Sequence, residues 1–432
     1  MKDLSVKKSA KLYKEAKKVL PDGGSRSTIS LAPHSIYIKS AKGKYLYDID
    51  DNRYLDFNNN YTSLIHGHAH PLLTEAAIMQ IKKGTGFSFG SETELNYADI
   101  LCSRCTNFDK IRFMNSGTEA VMNAIKAARA YTGKSKIVKC ENSYHGSYDF
   151  AEVSLGVDPS NLASGHPESK AYASGTPQSI LDEVIVIPFN KSKIASEIID
   201  ANYEDIAAIL IDPFGQNYGK SIPNGSFLSA IEKACKKYNI LLIADEVVSF
   251  RAGYSGCQGE RRINPHLTAL GKIIGGGFPI GAVAGHAEIM EVFEAKESRP
   301  KLPHGGTYNA NPVSMACGKV AMQMLTKDAF QKLNNLGQAF RDGIQDVFRL
   351  MNLDAHTQGQ FSVFGLSIND KSMQDQSLRG QIYESTGLHY YMLKNGYWLT
   401  PGLTGVCSTI MDHSDVDPFC QTLLEGIKIL RS

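Results

Sequence analysis

The spacing of apolar residues changes character twice along the chain. Residues 1–20, MKDLSVKKSAKLYKEAKKVL, set seven lysines around a thin apolar stripe and predict an amphipathic helix with a solvated face. Between 21 and 60, turn residues (PDGG) precede short alternating stretches, IYIKSAKGKYLYDIDDNRYLDF, which predict a small antiparallel sheet. From about residue 75, helical spacing alternates with short, nearly unbroken apolar runs. These are IRFMN (111–115), KIVKC (136–140), VIVIPF (184–189), IAAILID (206–212), ILLIADEV (240–247) and IGAVAG (280–285). Strand, helix, strand at this spacing predicts an α/β fold with a mainly parallel sheet covered by helices on both faces. Residues 154–180, rich in Ser, Gly, Pro and Ala, predict a long loop. From about 320, VAMQMLTKDAFQKLNNLGQAFRDGIQDVFRLM predicts one long helix, followed by short strands and a closing helix. The expected organisation is a large domain at 61–320 and a smaller α/β domain at 321–432, with the N-terminal segment 1–60 packing on the small domain.

Composition narrows the function classes. A chain of 432 residues with 42% hydrophobic and 21% charged residues is that of a globular protein of more than one domain. The formal net charge of +2, spread along the chain, gives no footprint for nucleic acid or acidic lipid. No apolar run approaches a membrane span or a secretory signal, so the expected location is the cytoplasm. The eight cysteines are scattered, mostly within apolar patterns, and form no disulfide framework. Cys102 and Cys105 make one C-x-x-C pair with no second pair beside it, so no metal is expected.

Ligands of open α/β sheets sit beyond the carboxyl ends of the strands, and the residues there carry the chemistry. Asn115-Ser116-Gly117-Thr118 follows a strand and opens a helix. Free N–H groups and two hydroxyls there can hold an anion, or can be an ordinary N-cap, which on this segment alone is the better reading. The GKS triplets at 133–135 and 219–221 lack the glycine of a P-loop. Asp245 ends an apolar strand, where alternation puts Val247 on its face and Glu246 on the other. It can pair with a protonated ring nitrogen or simply cap a turn. Lys272 lies between an apolar run and Gly275-Gly276-Gly277. A desolvated lysine there is a nucleophilic amine suited to Schiff-base chemistry, although a loop lysine is the commoner reading of such a segment.

With NSGTEA (115–120), YHG (144–146), ADEV (244–247), LGKIIGGG (270–277) and HGGTYNANP (304–312) in this order, the chain resembles the class III (ω-type) aminotransferases. These have the pyridoxal 5′-phosphate (PLP)-dependent transferase fold type I, and the resemblance runs from PDGG near residue 21 to the last helix. It implies PLP held by Lys272 as a Schiff base, with the same lysine shuttling a proton, and Asp245 on the pyridine nitrogen. It implies a phosphate site from Ser116, Gly117 and Thr118, Tyr144 on one ring face, Val247 on the other, and Asn217 near the ring hydroxyl. Thr307 would complete the phosphate site of a neighbouring subunit, so a homodimer is implied.

Two branches share these markers: the glutamate-1-semialdehyde 2,1-aminomutases and the β-amino-acid aminotransferases. SFGSETELNYADIL (88–101) is similar to the aminomutases, whereas Tyr61 in NNNYTSLIHGHAHP stands where they usually carry tryptophan. Gly402 and Gly405 stand where either branch offers a polar substrate contact. Both branches have an arginine near Arg26, which would clamp a substrate carboxylate unless it is a surface residue of a flexible loop. Arg251 can be structural, and His145 and His66 are supporting candidates. The expected function is amino transfer between an amino carboxylate and a carbonyl acceptor, with intramolecular transfer (an isomerase) as the alternative. Lys272, Asp245 and Thr307 together argue against a binding protein without catalysis.

Overall fold

The computed structural model describes residues 4–29, 31–156, 165–216, 219–295, 299–370, 373 and 381–432, and the side chain of Ile29 is not included. The chain divides into two compact units, 1–71 with 332–432, and 72–331.

In the first unit, the helix Lys7–Ala16 leads into β1 (Ile38–Lys42), β2 (Tyr45–Asp48) and β3 (Arg53–Asp56). These three strands pair antiparallel, as the alternation predicts. The second unit holds seven strands: β4 (Lys110–Met114), β5 (Lys136–Cys140), β6 (Val184–Ile187), β7 (Ile206–Ile211), β8 (Leu241–Asp245), β9 (Leu267–Gly271) and β10 (Gly281–Gly285). Their order is β4-β10-β9-β8-β7-β5-β6. Strands β5 to β9 pair in parallel, while β10 runs antiparallel to both β9 and β4. The reversal has a simple cause: only residues 272–280 link β9 to β10, too few for the crossover of a dozen or more residues that a parallel return needs.

Strand alternation explains why both sheet faces are covered. Ala208, Leu210, Leu241 and Ile243 pack on one face with Ala120, Ala124, Ile125 and Ala128 of the helix Gly117–Thr132. Ile209, Ile211 and Leu242 pack on the other with Ile198 and Ile199 of the helix Ser192–Asn202 and Phe227 and Ile231 of the helix Gly225–Tyr238. Each Leu, Ile or Phe among them contributes roughly 1.5–3 kcal/mol by leaving water, and each Ala less. The layers make the strand ends rigid, and those ends carry the candidate site.

The long helix expected over 320–351 is two helices, Pro312–Met324 and Lys327–Leu350. Thr326 breaks it, its hydroxyl accepting the Ala329 amide at 3.1 Å as a new N-cap.

The first unit resumes with β11 (Ala355–Gln358), β12 (Val363–Ile368), β13 (Tyr397–Trp398) and β14 (Thr404–Val406), then closes with the helix Val416–Arg431. Strand β13 adds to β3 in parallel, and β11-β12-β14 form a separate antiparallel sheet. Phe57, Phe340, Phe364 and Phe419 interlock edge to face and stacked, with centroids 4.7–5.6 Å apart. Gly405 packs against the Phe364 ring in this cluster, which accounts for a residue without a side chain there.

No described helix is long and apolar enough to cross a membrane. All eight cysteines are free thiols, and burial raises the Cys102 thiol to about 11. Among the described residues no group of three or more His, Cys, Asp or Glu side chains converges as a metal would need.

Candidate active site

The carboxyl ends of β4, β5, β7, β8 and β9 bring the sequence candidates of the second unit to one edge of the sheet. After β4, Ser116 is the N-cap of the helix Gly117–Thr132, its hydroxyl accepting the Glu119 amide at 3.1 Å. The cap and the anion-site readings thereby separate. The Ser116 hydroxyl is engaged in capping, while the first-turn amides of Gly117 and Thr118 lie at the positive end of the helix with no intrahelical acceptor.

Close packing surrounds that turn. A Cβ on Gly117 would stand 2.6 Å from Val247 Cγ1, and one on Gly271 would stand 3.2 Å from the same atom. Gly146, at φ +91°, lies so near Thr118 that a Cβ would meet its Oγ1 at 2.6 Å. The Ser147 amide then donates to Thr118 Oγ1 at 3.2 Å, which fastens the Tyr144-His145-Gly146 loop over the helix start. Tyr144 itself is 60% exposed, its ring free to cover a bound group.

Strand β8 ends at Asp245, so Val247 is not on its strand face as alternation suggests. The two are joined by a turn instead, with the Val247 amide donating to Asp245 Oδ1 at 3.0 Å. The second carboxylate oxygen, Oδ2, lies 2.7 Å from His145 Nδ1. Burial holds the His145 pKa below the ordinary histidine value, against the pull of the Asp245 hydrogen bond and charge. Its Nε2 is buried without a hydrogen-bond partner among the described residues. Glu246 turns into the interior, where Ser249 Oγ and the amides of Cys257 and Gln258 donate to its carboxylate. Burial raises its pKa to about 7.

Lys272 begins the turn after β9 with φ +51°, a left-handed conformation that costs a non-glycine residue free energy and clusters at functional sites. Burial of its amine end holds the ammonium pKa below the ordinary lysine value, against the Asp245 and Asp212 carboxylates. The turn is braced from behind. Gly318, in the helix Pro312–Met324, abuts the Ile274 carbonyl, and the Tyr97 hydroxyl donates to that same oxygen.

The segment 304–309 is tied to the phosphate-type turn: Asn115 Nδ2 donates to Asn309 Oδ1 at 2.9 Å and Arg112 Nη2 to the His304 carbonyl at 3.2 Å. Thr307 is exposed on it. Asn217 lies outside the described residues.

Sequence reasoning gave too little weight to Asp212 and Lys139. Burial, and then the Asp245 carboxylate, pushes the Asp212 carboxyl well above the usual range. Lys139 of β5 has no exposed surface, and its ammonium donates to the Val153 carbonyl at 2.6 Å. Both interrupt or end apolar strands, the same signal that singled out Asp245.

Arg26 and Tyr61 belong to the first unit. Arg26 is exposed and its Nη1 donates to Asn60 Oδ1 at 2.7 Å. Both residues line a cavity of about 390 Å³ within that unit. His66 Nδ1 pairs with Thr409 Oγ1 at 2.9 Å, and Arg251 is fully buried, so both are part of the packing.

A family model for class-III aminotransferases matches residues 29–375. Glutamate-1-semialdehyde 2,1-aminomutase of Methanosphaera stadtmanae is 33% identical over 419 residues, 96% of each chain. An ω-transaminase from Sphaerobacter thermophilus superposes with a TM-score of 0.91 at 40% identity, over 98% of both chains. A transaminase with PLP bound does so at 0.91 and 34% identity, over 99% of both.

The residues present fit PLP, which brings a phosphate, an aldehyde and a protonatable ring nitrogen. A helix start with free amides suits the phosphate, a desolvated lysine suits the aldehyde, and a buried carboxylate oriented by His145 suits the nitrogen. Gly117 and Gly271 keep clear the space beside Val247 that a Cβ would take. The chain belongs to the class-III aminotransferases, PLP-dependent enzymes of transferase fold type I.

Proposed function

We propose that the chain moves an amino group between an amino carboxylate and a carbonyl acceptor, with Lys272 and Asp245 as its catalytic residues. The observation that carries this reading is the buried His145–Asp245 pair beside the desolvated Lys272 amine. PLP, when bound, supplies the carbonyl that takes up the amino group and a ring that accepts electron density from the substrate carbon. Asp245 holds a proton on the ring nitrogen, and neutral His145 orients the carboxylate by donating its Nδ1–H. Lys272 anchors the cofactor and carries the proton between substrate carbon and cofactor, which a lowered pKa suits at neutral pH.

The Gly117 and Thr118 amides hold the phosphate, and the Ser116 and Thr118 hydroxyls, whose oxygens accept the Glu119 and Ser147 amides, add their O–H donors. Tyr144 covers one ring face and Val247 the other. Asn217 is assigned to the ring hydroxyl on the resemblance alone. Arg26 pairs with the substrate carboxylate and Tyr61 stands beside it. The unit 72–331 is the cofactor domain, and 1–71 with 332–432 form the smaller one, bounds shifted by about ten residues from the expected 61–320 and 321–432. A homodimer, in which Thr307 serves the partner's phosphate site, is supported by the exposure of Thr307 and by exposed Phe89, Leu95 and Tyr308. Eight free thiols suit a cytoplasmic location.

The kinship with the aminomutase favours a second reading, amino transfer within one substrate. Amine donor added alone to the holoenzyme tests the first: the cofactor absorption should shift with about one equivalent of keto or aldehyde product per site, and that product should accumulate further once acceptor is added. Product formed from glutamate-1-semialdehyde with no co-product would replace the first reading by the second. Absence of any absorption change with every donor would sink both.

A further inference from the structure

Residues 141–153 form a loop whose two ends are tied together. The Asn142 amide donates to the Ser154 carbonyl at 2.9 Å, and the Lys139 ammonium donates to the Val153 carbonyl at 2.6 Å. Asn142 and Ser154 stand at φ +58° and +55°, a left-handed pair made without glycine that persists only where its surroundings hold it. The far end of the loop carries Tyr144 and His145. There the Ser147 amide donates to Thr118 Oγ1, and His145 Nδ1 lies 2.7 Å from Asp245 Oδ2. The loop is thus fastened at its neck and again at the sheet edge, with His145 between the two.

Lys139 is an unusual residue for such a neck. Its neighbours in register are Val186 of β6 and Leu210 of β7, both buried, and its own side chain has no exposed surface. The ammonium forms no ion pair among the described residues, and the carbonyl that accepts from it carries no counter-charge. A methionine would follow the same path between the strands without the desolvation of a charge. A buried charge kept at the expense of stability is the kind of local conflict that marks a functional site.

The charge also bears on His145. Burial is the largest influence holding the His145 pKa down; the Asp245 hydrogen bond and charge raise it, and the Lys139 ammonium lowers it further. Asp212 and Glu246 are the other charged groups near this pair, and Glu141 and the Cys140 thiol act on Lys139 itself. With Lys139 charged, the imidazole stays neutral, and its Nδ1–H orients Asp245 without cancelling the carboxylate charge.

We propose that Lys139 is a positioning residue for amino transfer, whose ammonium locks the neck of the 141–153 loop and so holds His145 on Asp245. Its positive charge serves the same end by opposing a second positive charge on the imidazole. The proposal rests on the reading of Asp245 as the partner of the cofactor's ring nitrogen. Lys139 acts through His145 and not on the reacting atoms.

The test follows the donor half-reaction of the holoenzyme by stopped-flow absorption, over a range of pH, in Lys139→Met. The reaction should slow by about tenfold at pH 7, although the variant has lost a charge that destabilises the fold. Its acid limb should move to higher pH, because His145 without the ammonium takes up a proton more readily and then neutralises Asp245. Adding His145→Gln to Lys139→Met should slow the reaction by less than the product of the two single effects. Lys139→Gln, which lacks the charge but keeps a polar amide, should show the same displaced limb, so that misfolding of one variant does not decide the matter. An unchanged half-reaction in Lys139→Met overturns the proposal and leaves amino transfer intact. Effects that multiply in the double variant overturn it as well, and so does an acid limb that stays in place, since a loosened fold slows the reaction without moving the pair's titration. If no amine donor shifts the cofactor absorption of the unaltered holoenzyme, the aminotransferase reading has failed and the proposal falls with it.

Discussion

His145 Nδ1 stands 2.7 Å from Asp245 Oδ2, with both residues buried. Because burial keeps the imidazole below its ordinary pKa, the ring donates a neutral N–H and does not neutralise the carboxylate. Asp245→Asn keeps the shape but removes the charge proposed to hold a proton on the ring nitrogen. Stopped-flow measurement of the donor half-reaction should find it slower by at least about a hundredfold. His145→Gln, which loses only the orientation, should cost roughly tenfold. An unchanged half-reaction in Asp245→Asn would mean that the nitrogen has another partner.

Lys272 combines chemistry with strain. Replacing it by alanine removes the amine but keeps a Cβ in the left-handed conformation at φ +51°, whereas glycine removes both. Both variants should lose turnover and the visible absorption of the holoenzyme. In the absence of cofactor, Lys272→Gly should be more stable than Lys272→Ala by about 1 kcal/mol. Denaturant unfolding of the two side by side measures that difference; equal midpoints would show that the turn relaxes in the alanine variant.

Much of this site was legible because strands covered on both faces read as unbroken apolar runs, so an ionisable residue at a run's end stands out. Asp245 after LLIA and Lys272 after LTALG are of this kind. The direction of β10 went unread, because LTALG (267–271) is not among the apolar runs picked out as strands, and without it the short 272–280 link has no first strand to start from. Val247 was placed on the right neighbour for the wrong reason, since the strand stops two residues earlier and a turn makes the contact. The break at Thr326 was hidden by apolar spacing that continues through it. Contacts such as Ser147 on Thr118, or Gly318 on Ile274, leave no local mark, because each depends on a partner far along the chain.

Two glycines differ in how closely they approach Val247, and the difference sets an order. Gly117→Ala would put a methyl 2.6 Å from Val247 Cγ1, where something must move, at the turn whose amides are proposed to hold the phosphate. Gly271→Ala would place it at 3.2 Å, a contact that a small shift relieves. Equilibrium binding of PLP, followed by absorption, should weaken by about tenfold or more in Gly117→Ala and by less in Gly271→Ala. The reverse order would show that Val247, and not the helix start, gives way.

Lys139 lowers the stability of the fold at neutral pH. It has no exposed surface, its ammonium donates to the Val153 carbonyl at 2.6 Å, and burial lowers its pKa from 10.5 to about 8. In the unfolded chain the proton stays on up to pH 10.5; in the folded chain it leaves from about 8. Between those values the unfolded state binds more protons, so stability contributed by this site rises with pH across the window. Below pH 8 both states are charged and the folded one carries the whole desolvation cost, on the order of a few kcal/mol. Lys139→Met keeps the length of the side chain and removes the charge, leaving the Val153 carbonyl without its donor at a cost of about 1 kcal/mol. The variant should therefore melt higher than the unaltered protein at pH 7, and its lead should shrink as the pH approaches 10. Thermal unfolding at the two pH values separates this from a packing effect, since a lead that stays constant with pH would mean that the buried ammonium is already solvated.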